Sequence, residues 1–202
     1  WYLKYLSYIQ LSFTWLETFF HEVSHGIVAT LTGGSVVSLE FKLNGGGRCA
    51  YQGGWLALVY FVGYAGASVW GAVLYLGATA SIKNAHRLAI SVLVLIVLSG
   101  LSWVKFSDHT SWFVLFVISA NIVFPLWFVR LKYIQTYVQF LGIYVLVSSA
   151  RSVIYLIQIK LPGDDTQMAS VTKLPEIFWI LVWFSISIAI LFALLGKAIR
   201  SS

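Results

Sequence analysis

Long, nearly uncharged apolar runs constrain this chain most. Six of them stand out: Tyr8 to Leu31, Trp55 to Thr79, Leu88 to Phe106, Trp112 to Val129, Tyr137 to Ile159 and Ile177 to Ile199. Each is close to the roughly 20 residues a helix needs to cross the hydrocarbon core of a bilayer. Only helices and closed barrels satisfy their backbone polar groups in lipid, and barrel strands are shorter and alternate in polarity. The runs therefore predict an all-α membrane protein of about six transmembrane helices. Composition points the same way: 59% of the residues are hydrophobic and 10% charged, against about 25% charged in soluble domains. Too little polar surface exists to cover a water-soluble globule. Trp and Tyr gather near the ends of several runs, as interfacial anchors do.

The formal charge of +6 does not imply a nucleic-acid partner, because Lys and Arg sit singly in loops and form no basic stripe. Cys49 is the one cysteine, so no intrachain disulfide forms. No cleavable signal sequence is evident. The chain starts at Trp1 without Met, which leaves room for residues upstream. With six spans both termini share a side with Lys4, Lys83, Arg87, Arg130, Lys132, Lys197 and Arg200. Lys42, Arg48, Lys105, Lys160, Lys173 and all the loop acids fall on the other. Counting Lys and Arg narrowly places the termini in the cytoplasm. Which membrane this is, and whether a regulatory membrane partner exists, the sequence does not say.

Two loops are longer than the rest. In Thr32 to Gly54, the residues Val37, Leu39, Phe41 and Leu43 alternate with polar or small neighbours, and Asn44-Gly45 follows. That pattern predicts a small β-hairpin at the membrane surface after the first helix. Lys160 to Glu176 contains Pro162-Gly163-Asp164-Asp165 and Pro175. It reads as a turn and a short helix, with Asp164 a candidate N-cap. Gly45-Gly46-Gly47 is turn chemistry, since no helix start or phosphate-binding lysine follows. No repeat or separate soluble domain is apparent, and residues 1–202 read as one unit.

The first run contains His21-Glu22-Val23-Ser24-His25, an HExxH motif. Residues four apart share a helix face, so two imidazoles at that spacing can grip one Zn²⁺. Glu22 lies about 100° further round. From there it can reach a water on the metal without ligating it, and act as general base. HExxH arises by chance in soluble helices at no cost. Inside a membrane helix, however, ionisable side chains cost roughly 3 kcal/mol or more each unless something stabilises them, and a metal does so directly. A catalytic zinc typically takes three protein ligands. The third must come from the side of the membrane that His25 approaches, where Asp164, Asp165, Asp108 and His109 all lie. From chemistry alone, Asp164 is as good a cap as a ligand.

Three stretches in order, HEVSHGIVATLTGG (21–34), GYAGASVWGAVL (63–74) and GDDTQMASVTKLP (163–175), resemble the site-2 protease family of intramembrane zinc metallopeptidases. The likeness is to a compact branch that lacks a PDZ domain. It spans most of the chain, and the ordered set within membrane runs is far more specific than HExxH alone. The resemblance implies a single integral membrane metalloprotease domain that hydrolyses peptide bonds in or near transmembrane segments of membrane-protein substrates. It implies Zn²⁺ held by His21, His25 and an aspartate, with Glu22 as the base. Matching Met168, Ala169, Thr172 and Leu174-Pro175 to the branch pattern selects Asp164 over Asp165. The wider family's Asn-Pro-centred motif with Asp-Gly is only echoed in Asn121-Ile122-Val123-Phe124-Pro125, where no Asp-Gly follows.

Supporting residues follow from their types. Gly63, Ala67 and Gly71 form a small-residue stripe suited to close helix packing, which would fix the zinc ligands if it met the first span. Glu17, one turn before His21, either supports the metal ligands or pairs with Arg151 in the fifth span, and the buried pair is the expected arrangement. Asn121 is a candidate hydrogen-bond partner for substrate backbone, or equally an interhelical bond. The hairpin edge is a candidate strand-addition surface for unwound substrate. Two rival readings compete: a non-catalytic membrane scaffold that keeps the fold, and a metal or proton transporter. Retention of Glu22 disfavours the first. Clustering of the polar residues on one helix disfavours the second, because a pathway spreads them across depth.

Overall fold

A computed structural model describes residues 2–158 and 162–201, with side chains from Gln10 onward except at 131 and 201. The order is α1 (Tyr2–Leu31), β1 (Ser35–Phe41), β2 (Gly47–Gln52), α2 (Leu56–Ala80), α3 (Ile82–Trp103), α4 (His109–Phe128), α5 (Leu131–Gln158), α6 (Asp164–Thr172) and α7 (Glu176–Ser201). The expected helical membrane architecture with a hairpin after the first helix is what forms.

Among the described residues five helices, α2, α3, α4, α5 and α7, are long and apolar enough to cross a membrane. Only 22% of the most apolar stretch of α7 is buried inside the protein, and Leu181, Phe192 and Leu195 point outward. Such surface is unfavourable in water and ordinary against lipid. The remaining expected span, α1, has the length, at 30 residues, but Glu17, His21, Glu22 and His25 break its apolar character. It sits inside the bundle, packed on α2, α4, α5 and both strands, with Phe19, Phe20 and Val23 fully buried. Protein rather than lipid surrounds its polar groups.

Helix starts depart from the apolar runs. Ser81 alone separates α2 from α3, and its hydroxyl accepts the Asn84 N–H at 3.1 Å. Lys83, Asn84 and Arg87, expected in a loop, are instead the opening turns of α3. The cap satisfies a backbone donor that an apolar residue would leave bare. Asp108 caps α4 in the same way, accepting from Ser111 N at 3.0 Å. Ile159 and Lys160, the end of the expected fifth span and the start of the next loop, lie outside the described residues, as does the Lys4 side chain.

The helices meet through small residues. A methyl group built on Gly142 of α5 would lie 2.6 Å from Gly71 O, and one on Gly71 would lie 2.7 Å from Gly142 O. The α2 and α5 backbones are thus in direct contact. Beside them the Ser68 hydroxyl bonds Ser149 at 3.1 Å and Ser187 at 2.8 Å, tying α2 to α5 and α7.

The hairpin does not lie flat at the end of α1. Its strands pair antiparallel from Ser35↔Gln52 to Phe41↔Gly47 and fold back along α1. At the turn, Trp15 Nε1 donates to Lys42 O at 2.9 Å and Thr18 Oγ1 donates to Gly45 O at 2.7 Å. Trp15 is about 24 Å along the helix from Leu31. These side-chain donors, with Ser111 Oγ accepting Phe41 N–H at 2.7 Å, satisfy backbone groups that depth would otherwise strand. The expected alternation holds only in part. Leu39 and Phe41 are buried, whereas Val37 and Leu43 are exposed. A register irregularity between Val36 and Ser38 turns Val37 outward, and Leu43 belongs to the turn.

Candidate metal centre and active site

His21 and His25 lie one helical turn apart on α1, with their Nε2 atoms 3.1 Å apart. The N-terminus of α6 brings Asp164 to the same point: its Oδ2 is 3.1 Å from His21 Nε2 and 3.2 Å from His25 Nε2. The cap of α6 is Gly163, with no side-chain cap bond. Asp164 is therefore not the N-cap that its sequence context allowed, and its carboxylate is free to face the histidines. His25 Nδ1 sits 2.7 Å from Val59 O. A carbonyl only accepts, so Nδ1 carries the proton and Nε2 presents a lone pair.

Three acceptor atoms thus converge, and Asp164 Oδ2 is buried without a hydrogen-bond donor of its own. Such an arrangement is repulsive unless positive charge stands between the atoms. Tetrahedral zinc with ligands at about 2.0–2.1 Å sets them about 3.3 Å apart, close to the spacings here. The space is kept open by Gly63 of α2. A Cβ there would lie 2.5 Å from His25 Nε2 and 2.7 Å from His21 Nε2. Donor chemistry, spacing and the cleared space all fit a metal ion. Burial on its own would raise the Asp164 carboxyl. When protonated, the His25 and His21 rings outweigh it and hold the group well below the usual carboxylate range, so Asp164 is anionic.

Glu22 is 7% exposed, and its carboxylate accepts the backbone N–H of Cys49 on β2. His21, Glu22, His25 and Asp164 share one cavity of about 570 Å³, walled also by Gly47 to Tyr51 of β2, Tyr60 and Gln167. Over residues 1–194 the sequence matches the family described as Peptidase M50B-like. The chain belongs to this family, which is of the site-2 protease kind. No curated protein and no solved structure gives a match. The family is one of membrane metallopeptidases, consistent with a multi-pass protein carrying a His-His-Asp cluster suited to a metal.

The other sequence candidates lie elsewhere in this M50B-like chain. Asp165 is buried beside Met168, does not line the cavity, and has its carboxyl pushed up by burial. Asp108 is occupied as the cap of α4, and His109 opens that helix. Asn121 is also on α4. Its side-chain amide donates to Val117 O at 3.2 Å and its backbone carbonyl accepts from the Tyr137 hydroxyl at 2.8 Å, away from the cavity. The expected Glu17–Arg151 pair does not form. Glu17 is buried and accepts from Ser152 Oγ at 3.4 Å, whereas Arg151 donates to the Tyr155 hydroxyl at 3.1 Å and faces outward. The two side chains leave their helices in different directions, and no periodicity argument resolves that.

The small-residue stripe also divides differently from its spacing. Gly63 serves the histidines, Gly71 serves α5, and Gly66, off the stripe, admits Ser24: a Cβ there would lie 2.5 Å from Ser24 Oγ. Ser24 in turn accepts from Trp70 Nε1 at 3.2 Å. Gly47, assigned only to the turn by sequence, lets β2 close on Glu22, since a Cβ at this position would lie 2.7 Å from Glu22 Cγ. Tyr51 on β2 and Tyr60 on α2 face the cavity as well. Burial raises the Tyr51 hydroxyl and pushes the Cys49 thiol up to about 12. Neither belongs to the converging ligand atoms, which are those of His21, His25 and Asp164.

Proposed function

We propose that the protein is a zinc endopeptidase that hydrolyses peptide bonds in or near the transmembrane segments of other membrane proteins. The convergence of His21, His25 and Asp164 beside Glu22, in a cavity walled by a β-strand, carries this reading. His21, His25 and Asp164 would hold Zn²⁺, giving two neutral ligands and one anion. Bound there, zinc would supply Lewis acidity to polarise the scissile carbonyl and acidify water. Glu22, oriented by the Cys49 N–H, takes the proton of the attacking water and delivers it to the departing amine. Asp164 leaves the cluster at net charge +1 with the metal, which favours charge developing on the carbonyl oxygen.

Strand β2 suits the substrate. Its Gly47 to Tyr51 stretch borders the cavity, and an extended peptide can add to such an edge through main-chain hydrogen bonds. A helical transmembrane segment satisfies its own backbone and must unwind locally before it pairs this way. Replacing the hairpin with a Gly/Ser linker is expected to cut hydrolysis of every substrate by about 100-fold or more, as loss of positioning does. Hydrolysis at the wild-type rate would remove the strand from substrate binding.

Elemental analysis of zinc per purified protein tests the metal centre, comparing wild type with His25→Ala, Asp164→Ala and Asp165→Ala. The expected result is about one zinc in wild type and Asp165→Ala, with strong loss in the other two. Zinc that survives Asp164→Ala but not Asp165→Ala would reassign the third ligand. No zinc in chelator-free wild type would replace the peptidase with a non-catalytic scaffold.

A further inference from the structure

Arg151 is a charge without an acidic partner, placed about 10 Å before the end of α5 at Gln158. A cation at such a depth is costly unless an anion or water meets it. Among the described residues no carboxylate forms an ion pair with it: Glu17, the acid expected there, accepts from Ser152 Oγ instead. Arg151 instead opens onto a second cavity of about 290 Å³, which reaches α1 about 10 Å from His21 toward the helix N-terminus and is shared with Thr14, Asn44, Ser148, Ser152 and Tyr155. No acid lines it.

The donors of this cavity are directed. Tyr155 accepts from Arg151 at 3.1 Å and lies under its guanidinium, 5.4 Å from ring centroid to Cζ. This holds the fork in place and leaves its other N–H groups, and the Tyr155 proton, for a ligand. Asn44 Oδ1 accepts Gly46 N–H at 3.2 Å, so the Asn44 NH₂ is the end left to donate. Cationic, donor-rich and acid-free, the cavity matches a phosphate group.

A second observation says what carries the phosphate. The cavity runs into an adjoining groove of about 240 Å³ that also contains Gln10, Ser148 and Arg151, but whose other walls are Phe140, Ile143, Tyr144 and Val147. From Arg151 to Phe140 the groove follows α5 toward the bilayer interior for about 16 Å. One leaflet of hydrocarbon is about 15 Å deep. A polar, cationic head site joined to an apolar channel one leaflet long is the shape of a phospholipid.

We propose that the groove between α1, α5 and the hairpin turn binds one anionic phospholipid, with its phosphate on Arg151 and one acyl chain along Val147, Tyr144, Ile143 and Phe140. The absence of lining acids selects against headgroups with their own ammonium, whose positive charge would find no partner. The bound headgroup touches α1 at Thr14, α5 at Arg151 and the hairpin at Asn44. It therefore braces the turn whose other strand supports Glu22. This inference rests on the membrane fold and not on the peptidase reading.

Delipidated full-length protein, titrated in detergent with phosphatidylglycerol or phosphatidylcholine and observed by native mass spectrometry, tests it. One phosphatidylglycerol should bind about 10-fold more tightly than phosphatidylcholine. Arg151→Gln should weaken phosphatidylglycerol about 5- to 10-fold and erase the preference, as expected for one cation near the membrane surface. Arg151→Lys should keep part of the preference, and Val147→Trp, which fills the tail channel, should weaken both lipids. Circular dichroism and size-exclusion elution of each variant report whether the rest of the fold survives. Equal binding of the two lipids, or an Arg151→Gln protein that binds phosphatidylglycerol like wild type, overturns the proposal. Displacement of the lipid by about 10 mM inorganic phosphate would make this a free-anion site. Altered peptide cleavage in Arg151→Gln with unchanged lipid binding would give the groove to substrate.

Discussion

Glu22→Gln should leave about one zinc per chain and reduce peptide hydrolysis by about 10³-fold, within the range that a lost general base commonly costs. Glutamine has the same shape and keeps an oxygen for the Cys49 N–H that holds Glu22 in place. It cannot take a proton. Glu22 is not one of the three converging acceptors, which are on His21, His25 and Asp164, so the metal should be indifferent to the change. Hydrolysis of single-span peptides and of labelled unfolded casein in detergent, with zinc measured on the same preparation, provides the check. Activity within tenfold of wild type would assign the base to another group. Joint loss of zinc and activity would mean that Glu22 is structural.

The second large effect lies outside the HExxH motif. Gly63→Ala should strip the protein of zinc, to less than about a tenth of the wild-type content, which the affinity losses that follow displaced ligands make reasonable. The added methyl would stand 2.5 Å from His25 Nε2 and 2.6 Å from His21 Cε1, inside van der Waals contact with both rings. Either the imidazoles swing away from Asp164 or α2 moves off α1. Alanine is the better helix former by about 0.5–1 kcal/mol, so loss of zinc would not reflect a weaker helix. Gly196→Ala is the matched control, since a Cβ there meets nothing within 4 Å. Full zinc in Gly63→Ala would show that the histidines do not sit against α2 as described.

Much of this site was legible because its first half is local. Two histidines four apart on a helix face each other whatever surrounds them, and Glu22 follows from the same geometry. Apolar runs located the helices for an equally local reason, since lipid penalises unpaired backbone along every residue of a span. The runs misjudged where α3 and α4 start, because capped helix openings are polar and look like loops. They also count α1 among the spans, and its polar face is met by protein inside the bundle.

Charge pairing was the least legible feature. Glu17 and Arg151 are both polar residues in apolar helices, and pairing them is the economical guess. Their fate depends on the rotation of α1 and α5 about their own axes. That rotation is set by contacts such as Gly71 against Gly142, between residues remote in sequence. It turns Glu17 to Ser152 and leaves Arg151 to the outer groove.

By itself the sequence determined the membrane environment, the helix-plus-hairpin plan and the His21–Glu22–His25 face, because each is fixed by interactions within a few residues. The family resemblance picked Asp164 as the third acid, but only the tertiary structure decided that it meets the histidines, which glycines clear the space around them and which strand edge faces Glu22. Those are matters of where separate elements stop against one another. The packing of α1, α2, α6 and the hairpin sets those positions, and no periodicity along the chain encodes them.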